Sequence, residues 1–191
     1  MRADARRNRE LVMEAARALM ATQGLDAQMD DIARAAGVGV GTVYRHFPTK
    51  DELILALAEH RFRRLVEFAT EALGEDEPGP AFERFLYRGG ELQATDQTLS
   101  EVMRDRPHAM QAGAQRVGLL ELVRELMTRA QAAGAIRSDA VAEDIPMLMC
   151  GLGTSTPGCD GPFVSPTSWR RFLAVMIDGL RAGGTAEMPP R

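Results

Sequence analysis

Residues 29 to 50 constrain the fold more than any other part of the chain, because small residues crowd a single turn there. Ala35, Ala36, Gly37, Gly39 and Gly41 fall within seven positions, a density that lets two short helices cross closely and keeps bulk away from an approaching partner. The first helix turns Ile32, Ala33 and Ala36 inward and stops at Gly37, which accepts left-handed backbone at little steric cost. The second, about Val40 to Phe47, is expected to place Val40, Val43 and Phe47 on one side, with Thr42, Arg45 and His46 on another. Thr49 and Glu52 have the spacing of a capping box, so a third helix begins there.

Two short helices around a glycine turn, followed by a capped third, form a helix-turn-helix pattern, and the partner it implies is double-stranded DNA. The acidic whole chain, with a net charge of −4 and a pI near 5.5, runs against that expectation. The conflict eases when the chain is divided: residues 1–64 carry +2 and residues 65–191 carry −6. Arg2, Arg6, Arg7 and Arg9 read either as a basic arm for a phosphate backbone or minor groove, or as a frayed, solvated terminus. The chain has 22 arginines and one lysine, Lys50, which falls at the start of the third helix of this pattern.

The segment DIARAAGVGVGTVYRHFPTKDEL strongly resembles the DNA-binding domain of TetR-family transcriptional regulators, and the resemblance runs from about Arg6 to Leu65. It implies an all-α chain in two domains. Residues 1–65 would be a three-helix helix-turn-helix domain, and residues 66–191 a larger helical domain for effector binding and dimerisation. The DNA-facing set is then Gln28, Gly39, Val40, Gly41, Thr42, Tyr44, Arg45, His46 and Lys50. The resemblance gives Lys50 a backbone phosphate. Arg45 is open to a guanine edge or a phosphate, and Tyr44 to a ring in the three-helix core with its hydroxyl at a phosphate. The chain departs from the family pattern at two places. Gln28 stands near where Thr or Ser commonly supplies a phosphate hydrogen bond, and Gly39 replaces a frequent serine as a weaker N-cap.

Composition independently favours helix. Only 5% of residues are aromatic, and few runs alternate with a period of two. No apolar stretch approaches the roughly 20 residues that span a bilayer, and the N-terminus lacks the apolar core of a signal peptide, so no membrane is expected and the location expected is cytoplasmic. Helices are expected near 6–22, 49–73, 81–93, 96–105, 108–133 and 141–151. A Gly/Pro-rich connection follows, then a final helix that starts at Ser165-Pro166. Trp169, Phe172, Leu173, Met176, Ile177 and Leu180 form one face of that helix. It packs either on its own domain or on a second copy, and the resemblance assigns the last two helices to a homodimer interface, which would present two recognition helices to adjacent half-sites.

Phe82, Phe85, Met103, Met110, Met127 and Met147 on helices of the second domain, with His108, are candidates to line a cavity for a small-molecule effector of unknown identity. The same thioethers and rings at helical spacing also fit ordinary core filling. Arg104, Arg106 and His108 would favour an anionic or polar ligand if they point inward. Cys150 and Cys159 lack disulfide or zinc spacing, and His46, His60 and His108 are scattered, so neither a cofactor nor a metal is expected. No nucleophile, base and orienting acid assemble, which disfavours an enzyme. The reading is a sequence-specific regulator, in all expectation a ligand-responsive repressor acting as a homodimer on a palindrome. The alternative keeps the DNA reader and gives the second domain a protein partner or dimerisation alone.

Overall fold

The computed structural model describes residues 2–95, 107–154, 168–184 and 188. Among them the helices are α1 (Arg2–Gln23), α2 (Met29–Ala35), α3 (Val40–His46), α4 (Lys50–Leu73), α5 (Pro78–Thr95), α6 (Pro107–Arg116), α7 (Leu119–Ala132), α8 (Asp144–Thr154) and α9 (Ser168–Leu180). A 3-10 turn, Gly24–Asp26, joins α1 to α2. The described residues hold no strand, only an isolated antiparallel bridge between Ile136 and Arg181. None of their helices is long and apolar enough to cross a membrane. The helix expected over 96–105, with Met103, Arg104 and Arg106, lies outside the described residues, as do Cys159, Ser165-Pro166 and the side chains of Met110 and Cys150.

The described residues form two compact units, residues 1–62 with 97–117 and residues 63–96 with 118–191. In the first, α1 contributes Val12, Ala16 and Met20 to a core completed by Ile32 and Ala33 of α2, Val43 of α3, Phe47, and Leu53, Ile54 and Leu57 of α4. The glycine turn has the geometry the spacing predicts. Gly37 has φ +66°, its N–H donates to the Arg34 carbonyl (3.2 Å), and the Val38 N–H donates to the Ala33 carbonyl (3.1 Å). This is a Schellman closure, which consumes carbonyls that the end of α2 would otherwise leave unpaired. At the start of α4 the Thr49 hydroxyl accepts the Glu52 N–H at 3.2 Å. α6 also belongs here: Gly113 lies so close to α4 that a Cβ would come within 3.2 to 3.3 Å of Phe62 and Ala58.

In the second unit, Phe82, Phe85 and Leu86 of α5 are buried with Leu126 and Met127 of α7, Leu152 of α8, and Trp169 and Leu173 of α9. Gly90 permits this. A Cβ there would fall 2.9 to 3.1 Å from Leu173, Trp169 and Leu152, so only glycine lets α5 approach both neighbours without displacing them. Arg129 of α7 donates to the carbonyls of Leu73 and Glu75, which closes the C-terminal end of α4. Arg137 grips both Asp139 oxygens at 2.5 and 2.7 Å, and this hydrogen bonding holds the Asp139 carboxyl below its usual range.

Four expectations change. The basic N-terminal segment, read as an arm or a frayed end, is part of a helix, α1, from Arg2 onward. The helix expected over 108–133 is two helices, because Gly118 takes φ +68° between them. α8 begins at Asp144, three residues late, because the Asp144 carboxylate accepts the Val141 N–H at 2.9 Å in a turn that precedes the helix. α5 starts earlier than expected, at Pro78, where proline's missing N–H costs nothing in a first turn.

Gly37 has open space around its missing Cβ, so its requirement is purely conformational. Gly37→Ala is expected to lower stability by about 1–2 kcal/mol, read as a lower urea midpoint with an unchanged m-value.

Candidate nucleic-acid interface

A seven-residue helix can bury one face only, and α3 commits Val43, with Phe47 just beyond its end, to the interior. Phe47 is covered from α1 by Arg9, whose guanidinium carbon lies 5.1 Å from the ring centroid while Nη1 donates to the Met13 sulfur at 3.1 Å. Arg9 is thus taken out of the candidate basic segment, and Arg6 and Arg7 stay exposed on α1.

The opposite face of α3 points outward, and its composition differs from the expected one. Val40 is 41% exposed and Tyr44 45%, with Gly41 and Arg45 also exposed, whereas Thr42 and His46 are half-buried. Val40 therefore leaves the inward set and the Tyr44 ring leaves the three-helix core. The physical reason is length. Over two turns the apolar spacing 40, 43, 47 covers the buried face only from its second member onward. The outward face runs 40, 41, 44, 45, at i, i+1, i+4 and i+5.

Gly41 is informative on this face. Glycine inside a helix costs about 0.5–1 kcal/mol relative to alanine, and nothing within the protein lies within 4 Å of where its Cβ would stand. No internal contact therefore requires a glycine at this exposed position. Gly39, the N-cap of α3, is extended (φ −67°, ψ 143°), and its carbonyl accepts the Thr42 N–H at 2.8 Å.

Beside this face, Gln28, Met29, Asp30, Asp31, Tyr44 and Lys50 line an open depression of about 520 Å³. Gln28 is the N-cap of α2 but does not cap it with its side chain; Nε2 donates back to the Asp26 carbonyl at 2.7 Å. The Lys50 ammonium donates to the Leu25 carbonyl. Asp31 is paired with Arg34 at 3.0 Å, an exposed pair of small energetic weight. The structure thus gathers Gln28, Tyr44 and Lys50 at one depression, and Gly39, Val40, Gly41 and Arg45 on one helix face. A second depression, about 200 Å³, lies between Arg9, His46, Phe47, Glu52, Glu59 and Arg116, with the Arg116–Glu59 pair at 2.8 Å.

The described members of the candidate effector set lie in different surroundings. Phe82, Phe85 and Met127 are core residues of the second unit, Met147 projects outward from α8 at 76% exposure, and His108 is exposed on α6 in the first unit. The candidate dimer face also divides. Trp169, Leu173, Ile177 and Leu180 are buried within their own unit, because their four- and three-residue steps follow the α9 stripe that meets α5 and α8. Phe172 is 41% exposed, and Met176 is half-buried. Val175, absent from the expected face, is 69% exposed. Its signal was present in the sequence as a second apolar edge at 172, 175 and 176. The partner of Lys50, a backbone carbonyl 25 residues away, had no such signal.

Residues 12–57 match the family model described as bacterial regulatory proteins, tetR family, and residues 77–182 match that of the transcriptional regulator SbtR-like C-terminal domain. A crystal structure of a TetR transcription regulatory protein from Mycobacterium vanbaalenii is similar at 37% identity and a TM-score of 0.63, covering 94% of this chain and 98% of that one. A TetR transcriptional regulator from Streptomyces coelicolor is similar at 31% identity and a TM-score of 0.63, over 92% and 99%. Among curated proteins, an HTH-type transcriptional regulator from Staphylococcus aureus is 43% identical over 54 residues, a match that spans 28% of this chain and 29% of that protein.

If external contact is what glycine at 41 serves, Gly41→Ala raises thermal stability while weakening duplex binding several-fold. Calorimetry alongside fluorescence anisotropy on the same variant checks both. A gain in stability with unchanged binding would place the contact elsewhere.

Proposed function

The chain belongs to the TetR family of transcriptional regulators, a family of DNA-binding proteins, and on that premise we propose that it is a repressor that occupies a palindromic operator as a homodimer and leaves it when a small molecule binds the second unit. The observation that carries the DNA-reading part is the outward face of α3, with Val40, Gly41, Tyr44 and Arg45 exposed beside the depression at Gln28 and Lys50. In this reading Arg45 enters the major groove, Thr42 and His46 sit at its margin, and Gln28, Gly39, Tyr44 and Lys50 meet phosphates. Residues 1–65 supply the reader, and residues 66–191 supply effector binding and dimerisation.

The homodimer is supported by apolar side chains that one copy leaves uncovered: Phe172 and Val175 of α9, and Met147 of α8. A homodimer would present two α3 helices, and reading successive half-sites needs them about one DNA turn apart, roughly 34–36 Å. α4 carries the effector's influence. It is one uninterrupted helix whose residues up to Phe62 belong to the first unit and those from Arg63 onward to the second. An effector that favours one of two conformations of the second unit would change the half-site spacing and so the fit to DNA. The alternative, a second unit that only dimerises or binds a protein, is favoured by Phe82, Phe85 and Met127 being packed as core.

Selection of genomic fragments by the purified protein, repeated across salt concentrations, is expected to return a palindrome next to a small number of operons. Recovery of nothing above background would remove the DNA reading. On that palindrome, Arg45→Ala is expected to relax preference at one base pair per half-site, losing about 1–3 kcal/mol of discrimination; a uniform loss across sequences would make Arg45 a phosphate contact. Val175→Glu, at a position 69% exposed in one copy, is expected to convert dimer to monomer in sedimentation while leaving the helical circular dichroism signal intact. A dimer that survives it would move the interface off α9.

A further inference from the structure

Lys50 stands alone as a lysine among 22 arginines, and it is the residue whose cation crosses from the start of α4 to the turn before α2. Two backbone carbonyls of that turn are each held by a side chain: Leu25 by the Lys50 ammonium and Asp26 by the Gln28 amide. The contact with Leu25 spans 25 residues, so it cross-links the N-terminus of α4 to the segment that leads into α2. The same ammonium lines the depression with Gln28 and Tyr44.

An arginine is not equivalent at this place. An ammonium is a compact charge with three donors splayed around one atom, so one can point at a carbonyl while the others face a different direction. A guanidinium holds its donors in one plane and suits two acceptors side by side. The chain uses it that way at the other end of α4, where Arg129 takes both the Leu73 and Glu75 carbonyls. At position 50 there is one carbonyl and an open depression, and the Asp30 and Asp31 carboxylates on its lining would offer a guanidinium a planar alternative.

We propose that Lys50 is a positioning residue, a strut that ties the start of α4 to the Leu25–Gln28 turn and so holds Gln28 and Tyr44 in place around the depression they share with it, and that lysine is required there in addition to positive charge. This rests on the DNA-reading function proposed above and adds to the direct phosphate contact a role that a charge-preserving substitution removes.

Lys50→Arg and Lys50→Ala, made in the full chain, separate charge from strut. Hydrogen exchange on the DNA-free protein is expected to be faster across residues 24–35 in both variants. Binding to the selected palindrome is expected to be about tenfold weaker in Lys50→Arg, the order expected for losing a hydrogen bond from a charged donor, with its salt slope unchanged. In Lys50→Ala the slope is expected to fall by about one phosphate as well. Lys50→Arg matching the unsubstituted protein in either exchange or affinity overturns the strut. Failure of the unsubstituted protein to retain any duplex removes the DNA reading instead, and the exchange comparison, run without DNA, then decides the strut alone.

Discussion

A helix of seven residues has no stability of its own in water, because nucleation is costly and only a few intrahelical bonds repay it. α3 therefore exists as a helix because Val43 and Phe47 are buried against α1, α2 and α4, and its exposed face is a consequence of that burial. Phe47 matters most, since it lies just past the last helical residue, is 2% exposed and carries Arg9 over its ring. Burying a ring of that size contributes on the order of 2–3 kcal/mol, about what the intrinsic propensities of Gly41, two β-branched valines and a threonine together oppose, so the burial of Val43 adds to what holds the segment helical.

The turn between α2 and α3 was legible in the sequence because a left-handed residue is a local requirement, met by Gly37 and by few alternatives. The cap at Thr49 was legible for the same reason. What was not legible required knowledge of neighbours. A two-turn helix presents too few residues for a period to define its buried face, so Val40 was set inward by spacing and the Tyr44 ring was left open, and both lie outward in the fold. The 108–133 stretch read as one helix because its apolar residues keep step through Gly118, and a glycine inside a periodic pattern does not reveal whether it takes positive φ. Arg9 read as part of a basic segment because its covering of Phe47 is a contact across 38 positions in the chain.

Electrostatics follow the same division between local and distant causes. The +2 of residues 1–64 against −6 for the remainder was visible from counting. Counting, however, does not separate cations that face solvent from those with internal work. Lys50 is shared between a carbonyl and the open depression, Arg9 is committed to a ring and a sulfur, and Arg34 is paired with Asp31 while staying exposed, whereas Arg6, Arg7 and Arg45 are exposed.

The final helix makes the clearest case for reading two faces from one element. Trp169, Leu173, Ile177 and Leu180 are spaced four, four and three apart and fill the interior of their own unit, a seat that Gly90 opens by bringing α5 close. Phe172 is set off from that line by one residue and Val175 by two, and both are left bare, as is Met147 of α8. A single apolar stripe of six was therefore too narrow a description of α9. One edge stabilises the monomer, and the other is apolar surface for which the monomer has no use. Because the two edges share a helix, any rearrangement of the core beneath α9 shifts the outer edge with it.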